Sequence, residues 1–528
     1  MRFLLFLSLA ISGSAISAFA QQPEYDVLIR GGKIVDGTGA PWFIGDVGVR
    51  GDTIVYVGPP HASNAKLVLE AKGFAVAPGF VDTHSHGRRG YFENPAAENQ
   101  IRQGVTTIIE GPDGSSPLPI SKFLGTVAAA RSTVNFGMMV GHGSIRSQVI
   151  GMKDRKATPE ELERMKAIAR QAMLEGAFGI STGLFYLPGN FAPTDEVIAL
   201  GQIVGALGGL HTSHMRNEAD GVLESVKETI RIGEQGHLPT QVTHHKIIGK
   251  SNWGLSVQTL RLVDEARARG VDVTIDQYPY TASSTGSAAL FPQWAQESGP
   301  EAFRERASAP DQRAKILATV ARNIQEDRGG GDPKNVVFAS CGFDKTLAGK
   351  SLAEVTAARG REVTFENAAL TALEIQLKGG CSTIYHAINE EDLERILRYP
   401  YTMIASDGGI PTLGEDVPHP RNYGSFARVL GRYVRERKVL TLEDAVRRMT
   451  SLPAVRFRIM DRGLLRPGMK ADIGIFDPAT VADKAEFAKP HQYAVGFEHV
   501  LVNGRAVLQD RQMTQVRSGR VLYGPAKQ

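Results

Sequence analysis

Pro78-Gly79-Phe80-Val81-Asp82-Thr83-His84-Ser85-His86 is the stretch from which the rest of the chain is read. Pro78-Gly79 breaks the preceding segment, Phe80-Val81-Asp82 reads as a short strand, and two histidines one residue apart stand at its C-terminal end. Side chains along a strand alternate with period two, so His84 and His86 point the same way and both imidazoles can reach one metal ion. The C-terminal ends of parallel strands are also where barrel enzymes carry their chemistry.

Downstream, short apolar runs alternate with helical ones. Strand candidates are Val105–Ile109, Phe178–Ile180, Leu210–Ser213, Thr240–Thr243, Val271–Ile275 and Thr402–Ala405. Thr158-Pro159 with Glu161 is a capping box with proline at the first helical position, and it predicts a helix over about 158–176. This alternation implies a parallel sheet, and its length suits a closed (β/α)8 barrel over residues 79–465. Residues of about 285–395 break the rhythm. They are charged and mostly helical, with Gly329-Gly330-Gly331 in the middle, and read as a helical insertion over the barrel mouth.

The flanks have another texture. Residues 21–78 read as short strands with turns, including Asp26–Arg30, then Gly31-Gly32, then Lys33–Gly37. The same pattern returns over 466–528, where Asn503-Gly504 between two apolar runs is a strong hairpin signal. The two ends are expected to pair into one flanking β-sandwich.

Further histidines stand at the ends of later strand candidates: His214 in Ser213-His214-Met215-Arg216-Asn217-Glu218, and His244 in His244-His245-Lys246. One such histidine is usually structural, whereas four at the strand ends of one barrel point to a metal centre. Asp407, in Ser406-Asp407-Gly408, follows the last strand, where a carboxylate can accept a proton from water and pass it to a leaving group.

The chain has 528 residues, with 42% hydrophobic and 22% charged, a composition that excludes a disordered chain, a coiled coil and a collagen-like fibre. Sixty basic residues against 56 acidic ones give +4 without a basic run, so nucleic acid is not an expected partner. Cys341 and Cys381 are too few for a disulfide framework, and each is expected to be an isolated buried cysteine. Met1-Arg2, the apolar run to Phe19 and Ala18-Phe19-Ala20 read as a secretory signal peptide over residues 1–20, cleaved after Ala20. The expected protein is therefore secreted or periplasmic, with no membrane contact after cleavage.

Taken in order, Pro78–His86, Ile180–Leu184, Ser213–Glu218, His244-His245-Lys246 with Asn252-Trp253-Gly254, Tyr278-Pro279-Tyr280, Ser406-Asp407-Gly408, His419-Pro420-Arg421, Met449–Ala454 and Asp461-Arg462-Gly463 resemble the N-acyl-D-amino-acid deacylase (D-aminoacylase) family of the amidohydrolase superfamily. The resemblance runs from about residue 25 to 510. It implies a zinc-dependent (β/α)8 barrel with one or two divalent ions, which hydrolyses small N-acyl amino acids, of D configuration in that family's pattern, to a carboxylate and a free amino acid. It places metal ligands at His84, His86, His214 and His244; adjacent residues of a strand face opposite ways, so His244 and His245 cannot both point inward, and the resemblance favours His244. It places the catalytic aspartate at Asp407. Lys246, Tyr278 and Arg421 match residues that hold the substrate's α-carboxylate.

One run departs from the family. A Gly-Asn-Cys-Gly segment with a metal-binding cysteine is replaced by Glu110-Gly111-Pro112-Asp113-Gly114. Asp113 is the expected ligand in its place, ahead of Glu110, and oxygen is a harder zinc ligand than sulfur. No lysine lies around Gly179–Tyr186 to form a carbamylated metal bridge. Hydrolysis of another carboxylate-bearing amide, such as a dipeptide or a cyclic imide, is the alternative activity, because loops and insertion set the pocket. A metal-dependent binding protein without turnover would require the histidines or Asp407 to be missing.

Overall fold

The computed structural model describes residues 24–528, so the signal-peptide segment lies outside the described residues. The N-terminal part forms β1 (Tyr25–Ile34), β2 (Phe43–Arg50), β3 (Thr53–Gly58), β4 (Ala65–Glu70) and β5 (Ala75–Pro78). Gly31-Gly32 does not separate two strands. It sits inside β1, where the pairing with β2 shifts register between Ile29 and Gly32, so the expected turn is a bulge in one ten-residue strand.

The barrel strands follow: β6 (Phe80–Asp82), β7 (Val105–Glu110), β8 (Asn135–Met138), β9 (Val140–Gly141), β10 (Gly179–Gly183), β11 (Leu210–His214), β12 (Thr240–Val242) and β13 (Val273–Gln277). β8 and β9 are two pieces of one barrel strand, parted at Met139, with β8 paired to β7 and β9 to β10. Sequence reading passed over this strand. Asn135-Phe136-Gly137-Met138-Met139-Val140-Gly141 carries two glycines and an asparagine, which dilute the β-branched signal. The helix opened by Thr158 spans Pro159–Leu174, and both halves of its capping box are made: Glu161 N donates to Thr158 Oγ1 over 3.2 Å, and Thr158 N to Glu161 Oε2 over 2.9 Å.

Beyond β13 the insertion contributes β14 (Ser283–Gly286), β15 (Val336–Ser340) and β16 (Ser382–Tyr385), an antiparallel sheet in the order β14-β16-β15 beside its helices. It has its own apolar core, which includes Phe303, Ile316, Val320, Phe338 and Leu373. Cys341 and Cys381 form a disulfide across it, which corrects the expectation of two separate thiols. Their 40-residue separation hid the pairing, because β15 and the approach to β16 become neighbours only when the sheet forms.

The last barrel strand, β17 (Thr402–Ile404), pairs in parallel with β13. The ring closes through the segments that follow β17 and β6. Asp407 N donates to His84 O over 2.9 Å and His86 N to Gly408 O over 2.7 Å, while Asp82 accepts from Ser406 N at 2.9 Å and from the Ser406 hydroxyl. The chain ends in β18 (Ile473–Phe476), β19 (Phe497–Val502), β20 (Arg505–Gln509) and β21 (Gln512–Met513).

The two termini share one nine-stranded sheet, joined where β18 pairs antiparallel with β5. Ile29, Val47, Ile54, Ile473 and Leu501 fill its core. Asn503 and Gly504 form the β19–β20 turn with φ of 47° and 75°, the left-handed pair that a two-residue hairpin requires. Asp472 ties this sheet to the barrel, accepting from Arg462 Nη1 and Asn135 Nδ2, both at 2.8 Å. Among the described residues, no helix is long and apolar enough to cross a membrane.

Candidate metal centre and catalytic cavity

The C-terminal ends of the barrel strands open into a cavity of about 840 Å³, walled on one side by the insertion. Asp113, His244 and Asp407 stand just past β7, β12 and β17 with φ of 55°, 35° and 48°. Left-handed backbone is costly for residues other than glycine and collects at functional sites. Here it turns the chain sharply at three strand ends and presents each side chain to one point.

That point lies around Asp113. Its Oδ1 is 3.4 Å from His84 Nε2, 3.5 Å from His214 Nδ1 and 3.5 Å from His244 Nε2, while its Oδ2 is 3.3 Å from His86 Nε2. Asp407 Oδ1 is 3.1 Å from His86 Nε2 and 3.5 Å from His84 Nε2. These residues make two overlapping groups able to hold a cation, one of His84, His86, Asp113 and Asp407 and one of Asp113, His214 and His244. Glu110 is not among them. Its Oε1 accepts from Arg88 N over 2.5 Å and its Oε2 from Gly111 N over 3.0 Å, so it shapes the loop.

The donor set fits a divalent ion. His84 Nε2 and Asp113 Oδ1 are buried without a hydrogen-bond partner. The state of His84 follows from its other nitrogen. Thr243 Oγ1 donates to Asp276 Oδ2 over 2.7 Å, so it accepts from His84 Nδ1 at 2.8 Å, which leaves the Nε2 lone pair directed into the cavity. This is the orientation that a second partner imposes on a ligating histidine. Asp276 is anchored in turn by the His244 amide at 2.5 Å and by Gln241 Nε2. His245 faces away, with its Nε2 2.8 Å from Thr259 Oγ1 on the outer helix Ser256–Ala268.

Charge shapes the cavity as well. Burial alone would raise the Asp407 carboxyl, but the Arg421 guanidinium and nearby imidazoles hold it below its usual range. Burial would likewise raise Asp113, and the surrounding histidines, His84 foremost, hold it well below. Burial pulls the His86 imidazole down, yet Asp113 and Asp407 outweigh it and raise it to about 9.

Lys246, Tyr278 and Arg421 line the same cavity, all buried, so the two cations are not solvated surface charges. Arg421 Nη1 is 2.8 Å from Asp407 Oδ2, and its guanidinium lies 4.9 Å from the centre of the Tyr278 ring. The Tyr278 hydroxyl is buried without a partner. Lys246 Nζ donates to Glu218 Oε1. Sequence reading quoted Glu218 only as part of a motif and gave Arg328 and Thr243 no role. A buried acid beside two ring nitrogens is a tertiary fact, although Glu218 four residues after His214 was an available hint.

The chain is similar to known proteins over most of its length. Residues 67–508 match the sequence model of the Amidohydrolase family. The chain is 38% identical over 526 residues to an N-acyl-D-glutamate deacylase of Alcaligenes xylosoxydans xylosoxydans, covering 95% of this chain and 97% of that protein. The crystal structure of an N-acyl-D-glutamate deacylase from Bordetella bronchiseptica, complexed with zinc and a phosphonate inhibitor that mimics the tetrahedral intermediate, superposes with a TM-score of 0.81 at 35% identity, covering 94% of this chain and 99% of that one. A D-aminoacylase structure concerned with a binuclear metal centre gives 0.81 at 35% identity, covering 94% of this chain and all of that one.

Proposed function

The chain belongs to the amidohydrolase family and is a hydrolase of the N-acyl-D-amino-acid deacylase type, and from that premise we propose that it is an exported zinc enzyme that cleaves the amide of N-acyl-D-amino acids. The observation that carries the reading is the meeting of Lys246, Tyr278 and Arg421 with Asp407 in the cavity that holds the histidine cluster. A lysine, a phenol and an arginine are what a carboxylate needs, and arginine can bind it through two parallel hydrogen bonds.

His84, His86, Asp113, His214 and His244 would hold the metal. When bound, zinc makes water a stronger acid and polarises a carbonyl. Asp407 accepts the proton of the attacking water and returns it to the nitrogen of the leaving amine. Lys246, Tyr278 and Arg421 hold the α-carboxylate, so that the amide offers one face to Asp407. The substrate carboxylate takes Asp407's place on Arg421, which frees the Asp407 oxygen for proton transfer.

Export is supported by the residue 1–20 pattern and by the Cys341–Cys381 disulfide, since disulfides persist in oxidising compartments. The test of function is metal analysis of the purified protein with hydrolysis of N-acetyl-D- and N-acetyl-L-methionine. Zinc with D-selective turnover is expected, and zinc-loaded protein inert toward both would refute the substrate class. N-terminal sequencing of the protein from a periplasmic fraction should begin at Gln21.

A further inference from the structure

The function proposed above leaves Gly329-Gly330-Gly331 without a purpose, and the structure supplies one. A Cβ on Gly329 would lie 2.2 Å from Ile324 O, and one on Gly330, where φ is 59°, would lie 2.5 Å from His386 O. The chain therefore doubles back tightly on the end of the helix Pro310–Glu326, and only glycine allows it. The residue delivered by this turn is Arg328.

Arg328 belongs to the insertion, yet it is 2% exposed and reaches into the barrel mouth. Its guanidinium stacks over Phe185, 4.3 Å from the ring centre, and its Nη2 donates to Glu218 Oε2 over 3.2 Å. Glu218 follows β11 and is itself 2% exposed. Its Oε1 accepts from Lys246 Nζ and lies 3.2 Å from His244 Nδ1, and its Oε2 lies 3.7 Å from His214 Nε2.

Each imidazole thus has one nitrogen turned toward Glu218 and the other toward Asp113: His244 through Nδ1 and Nε2, His214 through Nε2 and Nδ1. A carboxylate behind a ring nitrogen accepts the hydrogen bond of that N–H, fixes the tautomer and leaves the opposite lone pair free for a metal. One carboxylate stands behind two rings here, 3.2 Å from His244 Nδ1 and beyond direct hydrogen-bond reach of His214 Nε2, while Lys246 Nζ, itself 2.7 Å from His244 Nδ1, pulls on one of its oxygens. Its orientation needs a counterweight on the other oxygen.

We propose that Arg328 and Glu218 are a positioning pair, through which the insertion sets the ligating nitrogen of His244, places a negative charge behind His214 and holds Lys246 for the substrate carboxylate. The inference rests on the metal-dependent function proposed above. It assigns the insertion a part in assembling the metal centre as well as in walling the cavity.

Zinc affinity, measured by competition with a chromogenic chelator at 25 °C, tests it in Glu218→Gln, Arg328→Met and Arg328→Lys. Glu218→Gln and Arg328→Met should each weaken zinc binding about tenfold or more, and the KM for N-acetyl-D-methionine should rise as Lys246 loses its anchor. Arg328→Lys should recover most of the affinity, a rescue that a merely space-filling role would not need a cation to achieve. Affinities within twofold of the unaltered protein in folded Glu218→Gln and Arg328→Met, judged by circular dichroism, would overturn the pair. If Arg328→Met does not fold, Glu218→Gln against Arg328→Lys decides in the same way. The affinities are read without substrate, so failure to hydrolyse N-acetyl-D-methionine refutes the substrate class and not this pair, whereas an unaltered protein that binds no zinc refutes both.

Discussion

Arg421 Nη1 lies 2.8 Å from Asp407 Oδ2, so the cation placed to receive a substrate carboxylate occupies the carboxylate placed to move a proton. The two substitutions should therefore separate kinetically. Asp407→Asn keeps shape but cannot accept a proton, and kcat should fall about 10²–10⁴-fold while zinc stays bound. Arg421→Lys removes the fork that grips a carboxylate, and KM should rise about tenfold or more with a smaller change in kcat. Steady-state kinetics with metal analysis checks both, and an unchanged kcat in Asp407→Asn would remove the proton-transfer role.

Thr243 links Asp276 to His84 across three barrel strands, with the two hydrogen bonds at 2.7 and 2.8 Å. Thr243→Val leaves the buried Nδ1 without an acceptor, and zinc affinity should fall by about 10–100-fold. Thr243→Ser keeps the hydroxyl and should remain near the unaltered protein. Equal loss in both would mean that packing of the methyl group, not the relay, matters.

The Cys341–Cys381 disulfide closes 40 residues of the insertion. Replacing both cysteines by serine should cost about 2–4 kcal/mol of stability, localised to the insertion. Hydrogen exchange should then rise over 283–385 while the barrel strands keep their protection. Uniform loosening of the whole chain would show that the insertion does not unfold on its own.

His211 is buried between Thr182 and Thr240, with hydroxyl oxygens 2.9 and 2.8 Å from its two nitrogens, and burial lowers it from 6.5 to about 3. The folded protein keeps this ring neutral, whereas the unfolded chain protonates it below pH 6.5. The contribution is fully present above 6.5 and is lost as pH falls toward 3, at about 1.4 kcal/mol per pH unit. Urea midpoints of metal-free protein at pH 7, 6 and 5 should therefore decline, and less steeply in His211→Gln.

Much of the barrel was readable because its signals are local. Phe80–Asp82 appears as read, Val105–Ile109 lengthens by one residue to Glu110, and the capping box opens the helix where Thr158 places it. Asn503-Gly504 forms its hairpin because two left-handed residues in succession need little beyond their own chemistry. Where two local signals conflicted, reading failed. Gly31-Gly32 looked like a turn, but pairing with β2 and β4 keeps β1 continuous and absorbs the disturbance as a bulge.

The residue types singled out in the sequence do come together in the structure: the histidines at strand ends, Asp407 after the last strand, and Asp113. Any one of these histidines alone is usually structural, and it is their repetition at strand ends that makes the group visible. Their partners were not visible. Nothing near Thr243 in the chain names Asp276 or His84 as its neighbours, and Arg328 is 110 residues from Glu218. An exported chain could pair Cys341 with Cys381, but only the folded insertion brings them together across 40 residues. A strand or a cap depends on residues a few positions apart, whereas a buried hydrogen bond depends on which strand ends the closed barrel brings together.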